Sequence, residues 1–200
     1  MNHSDAEPVT IVVDATHNVS GLLLAPPRAR ACYILAHGAG AGMSHPFMEA
    51  VAKELAERGV ATLRYQFPYM EQGGRRPDPP KLAQATVQAA TAEAARLAPA
   101  LPLIAGGKSF GGRMTSQAQA ASPLPGVRGL VFLGFPLHPA GRPSDERAKH
   151  LFDVRSAADP IGPTALGTLD ATTHSDSPLV KYDRSAAIQA PERAVSSRIP

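Results

Sequence analysis

Residues 103–112, Leu-Ile-Ala-Gly-Gly-Lys-Ser-Phe-Gly-Gly, constrain this chain more than any other segment. A short apolar run of strand length leads directly into Gly107-Lys108-Ser109-Phe110-Gly111, and helix-compatible residues follow. A strand that turns straight into a helix leaves little room for side chains where the two nearly collide. Gly107 and Gly111 supply that room, and the serine between them is held in a strained backbone conformation. Such a turn presents the Ser109 hydroxyl at the tip of a buried strand, where it can act as a nucleophile. Two other readings of the glycines fail. Gly-Lys-Ser after a strand suggests a phosphate loop, but the position that needs the first glycine holds Pro102. Gly38, Gly40 and Gly42 do not make a dinucleotide fingerprint, because Met43 and His45 stand where a third glycine is needed.

The rest of the chain reads as strands alternating with helices. Strands are predicted over 9–15 and 19–25, forming a hairpin around Thr16-His17-Asn18, and then over 30–36, 60–65, 102–106 and 127–133. Apolar spacing predicts helices over 46–58, 82–97 and 110–121, with a short one over 145–151. Residues 67–71 read as a loop. Alternation of this kind implies a mostly parallel central sheet with helices on both faces. After about residue 154 the composition changes to Ala, Ser, Thr, Asp and Pro, and no segment has the apolar content of a central parallel strand. Residues 1–154 are therefore read as one core, and 155–200 as an atypical, poorly ordered tail.

A second glycine-rich segment agrees with the first. The apolar run 31–36 ends in His37-Gly38-Ala39-Gly40-Ala41-Gly42. A His-Gly loop after an early strand supplies one backbone donor to an oxyanion hole, and the residue after the nucleophile supplies the other. By that pattern the expected donors are Ala39 and Phe110. Small neighbours let a substrate approach such donors closely. His37, at a strand end, is read as structural and as orienting this loop, and His45 as part of a helix entry.

Four segments together carry a family resemblance: 37–48 (His-Gly-Ala-Gly-Ala-Gly-Met-Ser-His-Pro-Phe-Met), 67–71 (Phe-Pro-Tyr-Met-Glu), 106–114 (Gly-Gly-Lys-Ser-Phe-Gly-Gly-Arg-Met) and 132–139 (Phe-Leu-Gly-Phe-Pro-Leu-His-Pro). In this order they resemble the small α/β-hydrolases of the testis-expressed-protein and NSL-complex-subunit type, related to dienelactone hydrolases. The resemblance covers about residues 9–154. It implies an α/β-hydrolase fold, with the presence of the C-terminal strands left open, and a serine hydrolase acting on a small-molecule ester or related acyl substrate. Beyond 154 the chain departs from the family. Gly167-Thr168-Leu169-Asp170 partly echoes the motif that bears the triad acid, and Thr173-His174-Ser175 faintly echoes the one that bears the base. The resemblance thus implies Ser109, Asp170 and His174 as the catalytic set, although the strand and helix that normally separate acid and base have no room between 170 and 174.

Tyr69 and Glu71 fall at the C-terminal edge of the sheet, where open α/β folds bind ligands, and His138 lies just beyond another strand end. All three are candidates for substrate binding. The histidines lack His-x3-His spacing, and Cys32 is the one cysteine, read as a small core residue. No metal and no cofactor are expected. The net charge of +3 is small and its basic residues are scattered, which argues against nucleic acid. No apolar stretch suits a signal peptide or a membrane span, so a cytoplasmic protein is expected. A second function class stays open: a hydrolase-like binding or scaffold domain without the triad histidine.

Overall fold

The structure is a computed structural model and describes residues 6–138, 142, 144–154, 166–170 and 181–182. The hairpin forms first in the chain. Asp14 accepts hydrogen bonds from the backbone N–H of Thr16 (2.8 Å) and His17 (2.9 Å), an Asx turn that reverses the chain between β1 (Glu7–Val12) and β2 (Asn18–Leu24). The strands β3 (Ala31–Ala36), β4 (Val60–Tyr65), β5 (Leu103–Lys108) and β6 (Val127–Leu133) follow. With β7 (Leu166–Asp170) and β8 (Lys181–Tyr182), the sheet is eight-stranded, in the order β1-β2-β4-β3-β5-β6-β7-β8. The pairs from β4 through β7 are parallel, and both ends of the sheet pair antiparallel.

Helix α1 (Pro46–Glu57) starts where the sequence predicts. His45 caps it by accepting from Phe47 N–H, and Pro46 fills a position whose N–H needs no partner. It covers one face of the sheet, with Met48 packed on Tyr33, Leu35 and Leu133. Helix α3 (Pro80–Leu97) lays Ala83, Val87, Ala90 and Ala94 on the other face, beside α4 (Phe110–Ala121). Helices on both faces of a mostly parallel sheet match the sequence reading.

Three elements differ from it. Residues expected as a loop contain a one-turn helix, α2 (Pro68–Glu71), nucleated by proline at its first position. The short helix expected over 145–151 is a 3₁₀ segment, Lys149–Asp153. And the sheet continues past residue 154, where no strand was expected. β7 (Leu166–Asp170) pairs parallel with β6, and β8 (Lys181–Tyr182) pairs with β7. A strand beside an existing edge is held by backbone hydrogen bonds, so it does not require a continuous run of Val, Ile and Leu.

Candidate active site

Ser109 stands at the C-terminal tip of β5 with φ 48° and ψ −106°, a left-handed backbone that non-glycine residues rarely adopt. The crowding that sequence spacing implies is present: a Cβ built at Gly107 (φ +152°) would lie 2.2 Å from Ala36 O. Ser109 N–H donates to Leu133 O at 3.4 Å, which ties the turn to β6. The side chain is half-buried and caps no helix donor, and no hydrogen bond engages its hydroxyl among the described residues.

The His-Gly loop packs against this turn. A Cβ at Gly38 would stand 3.9 Å from Ser109 Cβ. The N–H groups of Ala39 and Phe110 have no acceptor among the described residues. Phe110 opens α4, where the first N–H groups of a helix are left unpaired and the helix dipole favours negative charge. Ala39 is aimed by His37. The His37 ring accepts a hydrogen bond from Phe67 N–H at Nε2 (3.1 Å), so its proton sits on Nδ1 and is donated to Gly38 O at 2.7 Å. Gly38 C=O and Ala39 N–H belong to one trans peptide and point in opposite directions. Holding the carbonyl therefore sets the direction of the donor. Burial lowers the His37 pKa and keeps the ring neutral, partly opposed by its bond to Gly38.

Two further contacts fix the loop. The Tyr69 hydroxyl donates to Ala39 O at 2.8 Å, and burial, reinforced by the Asp78 carboxylate, pushes its pKa up to about 12. At the far end, Met43 N–H donates to Gln66 Oε1 (2.8 Å) and Met43 O accepts from Arg64 Nη1 (3.1 Å). Arg64 is only 4% exposed. Burying a guanidinium is costly unless it is well bonded, and here it donates to a backbone oxygen of this loop. Sequence reasoning missed Arg64 and Gln66. The signal available was a charge inside an otherwise apolar strand, Val-Ala-Thr-Leu-Arg-Tyr.

The residues singled out from the sequence separate into groups. Ser109 and Phe110 are neighbours at the turn, and the His-Gly loop that carries Ala39 packs against it. Tyr69 reaches the site as a buried brace of the His-Gly loop, where a pocket wall was expected. Glu71 is employed elsewhere: its two oxygens accept from Ser20 N–H (3.0 Å) and Ser20 Oγ (2.7 Å), tying α2 to β2. His138 is exposed and lines a cavity of about 320 Å³ with Leu137, Asp145, Ala148, Lys149 and Phe152, a lining that includes neither Ser109 nor the oxyanion loop. Asp170 ends β7. The register aligns Lys108 with Leu133 and Leu133 with Leu169, so the backbone of Asp170 is level with Ser109 at the same edge of the sheet. With strands about 4.8 Å apart, the two positions are separated by about 10 Å. His174 lies outside the described residues. Of the other histidines, His37 has both nitrogens engaged, His45 caps α1, His17 sits in the hairpin turn, and His150 Nε2 is 2.7 Å from Ser116 Oγ.

Among the described residues no group of three His, Cys, Asp or Glu could hold a metal, and no helix is long and apolar enough to cross a membrane. No curated protein matches the chain. Solved structures do. A dienelactone hydrolase from Anabaena variabilis superposes with TM-score 0.62 at 23% identity, covering 76% of this chain and 69% of its own. An alpha-beta serine hydrolase homologue from Coxiella burnetii gives TM-score 0.62 at 16% identity, covering 82% and 73%. A serine hydrolase without lid from Xanthomonas campestris gives 0.59 at 18%, covering 83% and 71%. At these identities the likeness shows the fold. The sequence itself goes further: residues 29–159 match the family described as alpha/beta hydrolase domain, and the chain belongs to that family.

Proposed function

We propose that this protein is a serine hydrolase that cleaves a small-molecule ester or related acyl substrate. The observation that carries this reading is the junction of a strained, half-buried serine at a strand tip with two backbone donors, Ala39 N–H and Phe110 N–H, that have no acceptor among the described residues. In the proposed reaction Ser109 Oγ attacks the acyl carbon, its proton passes to a histidine, and the oxyanion is held by the two N–H groups. The histidine then protonates the leaving alcohol, and water releases the acyl group by the same path. Asp170 is the proposed acid, supported by its register position beside β6. His174 is the proposed base. Of the five described histidines, four are committed to other partners and His138 lines a cavity that does not include Ser109, which favours the residues after Asp170 as the place to seek the base. Within the family, the motifs at 37–48, 67–71, 106–114 and 132–139 favour the testis-expressed and NSL-subunit type.

A second reading has its own observation: no described histidine reaches the Ser109 hydroxyl. A catalytically impaired binding domain would share the fold and the oxyanion loop. Labelling with a fluorophosphonate probe separates the two. The hydrolase reading expects covalent labelling at Ser109, and turnover of 4-nitrophenyl butyrate that Ser109→Ala abolishes and His174→Ala lowers by about 10³-fold or more. Unlabelled Ser109, with ester hydrolysis indifferent to its removal, would establish the impaired domain.

A further inference from the structure

Lys108 is the one residue of the elbow that the proposed reaction leaves unused. It immediately precedes Ser109, and the alternation of β5 places its side chain on the α1 face of the sheet. Its stem runs past the oxyanion loop: a Cβ at Gly38 would lie 3.5 Å from Lys108 Cγ. Its Nζ lies 5.3 Å from the centroid of the Phe47 ring, and a Cβ at Gly134 would be 3.2 Å from it. The ammonium thus occupies a notch between the first turn of α1, the His-Gly loop and the turn after β6, at the sheet edge that carries Ser109. The side chain is half-buried, yet no carboxylate and no hydrogen-bond acceptor reaches Nζ among the described residues. Lys53 and Lys149 each pair with a glutamate; Lys81 has no partner among the described residues either but is exposed to solvent on α3, away from the elbow. The Phe47 ring attracts the charge but accepts none of its three N–H donors in the way an oxygen does. A cation held beside the elbow without an anionic partner is available to one brought by a ligand.

We propose that Lys108 receives a carboxylate carried on the acyl chain of the substrate, so that the site prefers half-esters of dicarboxylic acids to neutral acyl esters. This rests on the reading of Ser109 as the nucleophile: a Cβ at Gly38 would lie 3.5 Å from Lys108 Cγ and 3.9 Å from Ser109 Cβ, so both side chains flank the same bare glycine, and an acyl chain bonded at Ser109 runs beside the lysine.

The test compares three substrates: mono-4-nitrophenyl glutarate, charged on the acyl side; 4-nitrophenyl butyrate, neutral; and 4-acetoxybenzoate, charged on the alcohol side. The expected result is a kcat/KM for the glutarate at least about tenfold above the butyrate, a ratio that Lys108→Met lowers by about 10- to 100-fold, that Lys108→Arg retains and that Lys108→Glu reverses. A ratio unchanged in folded Lys108→Met and Lys108→Glu protein overturns the proposal, as does a preference confined to 4-acetoxybenzoate. Binding of monomethyl glutarate to Ser109→Ala protein, with and without Lys108→Met, reads the same contact without turnover. Loss of turnover with binding that still depends on Lys108 therefore counts against the hydrolase reading alone. Equal binding with and without the lysine counts against this proposal alone.

Discussion

Replacing Gly111 with alanine sets two effects of opposite sign against each other. Gly111 lies in the first turn of α4 and has no left-handed φ, so helix propensity alone predicts that alanine stabilises by about 1 kcal/mol. The structure predicts the opposite. A Cβ there would lie 2.5 Å from His37 O, 2.6 Å from Ala36 Cβ and 2.8 Å from Ala36 C. None of these atoms is the end of a flexible side chain. Either α4 or the end of β3 must shift by most of an ångström, and overpacking of this kind costs about 1–3 kcal/mol, occasionally more. With three contacts under 3.0 Å the cost falls at the upper end of that range, about 3 kcal/mol, so sterics win, leaving a net loss of about 2 kcal/mol for alanine and about 2–4 kcal/mol for valine, whose branched Cβ adds two methyl groups. At about 2–4 °C per kcal/mol for a chain of this size, valine lowers Tm by about 5–15 °C. Gly129→Ala is the control, since a Cβ there meets nothing within 4 Å. Thermal melts of the three variants decide the matter. A Gly111→Ala protein as stable as wild type, or one no worse than Gly129→Ala, would refute the close approach on which the elbow depends.

Tyr69→Phe removes the hydroxyl that holds Ala39 O at 2.8 Å while keeping the ring packed on Phe110. It should cost about 0.5–1.5 kcal/mol of stability and lower kcat for 4-nitrophenyl butyrate more than it raises KM; an unchanged kcat would show that the loop keeps its shape unaided. His37 predicts an acid limit. Its folded pKa is lowered by burial, so as pH falls below about 6.5 the unfolded chain takes up a proton that the folded ring refuses. The stability it contributes is complete above that pH and declines as pH falls toward the lowered folded value. His150, also lowered by burial, adds to the same slope. Urea midpoints at pH 7.5 and 5.5 should fall further in wild type than in His37→Asn; equal falls would remove His37 from the account.

The parts of this site that sequence makes legible are those the backbone dictates. Gly107 and Gly111 are where a Cβ would strike Ala36 O or His37 O, and the spacing of glycines around a serine announces that need directly. Proline and a capping residue mark the start of α1 in the same way. What sequence does not announce is pairing at a distance. Tyr69 and Ala39 are thirty positions apart, as are His37 and Phe67, and nothing local in either residue names its partner. Tyr69 reads equally well as a pocket wall until its hydroxyl is seen on Ala39 O. Glu71 reads as a ligand contact until Ser20 occupies both of its oxygens. β7 escapes for a different reason. Leu-Gly-Thr-Leu-Asp has too few apolar residues to look like a parallel strand, and its order comes from the ladder offered by β6.

The contacts around residues 37–43 bear on how the site would act. Gly-Ala-Gly-Ala-Gly is a sequence with many accessible backbone conformations, and a donor that must be frozen during reaction loses much of its value. Here the freezing is done during folding. His37 fixes the peptide that carries Ala39 N–H, Tyr69 fixes the next carbonyl, and Arg64 with Gln66 fixes Met43. Between these anchors the loop stays bare: a Cβ at Gly40 would meet nothing within 4 Å. The loop is thus held at both ends and open in the middle, beside the donor that an oxyanion needs. The single tautomer of His37 is central to this, because its Nε2 can accept from Phe67 only while Nδ1 carries the proton given to Gly38. Protonating the ring would turn that acceptor into a donor facing another donor, breaking the tie to Phe67 and loosening the peptide that aims Ala39. The acid limit on stability and the loss of a directed Ala39 N–H therefore share one cause, and both should appear over the same pH range in which His37 takes up its proton.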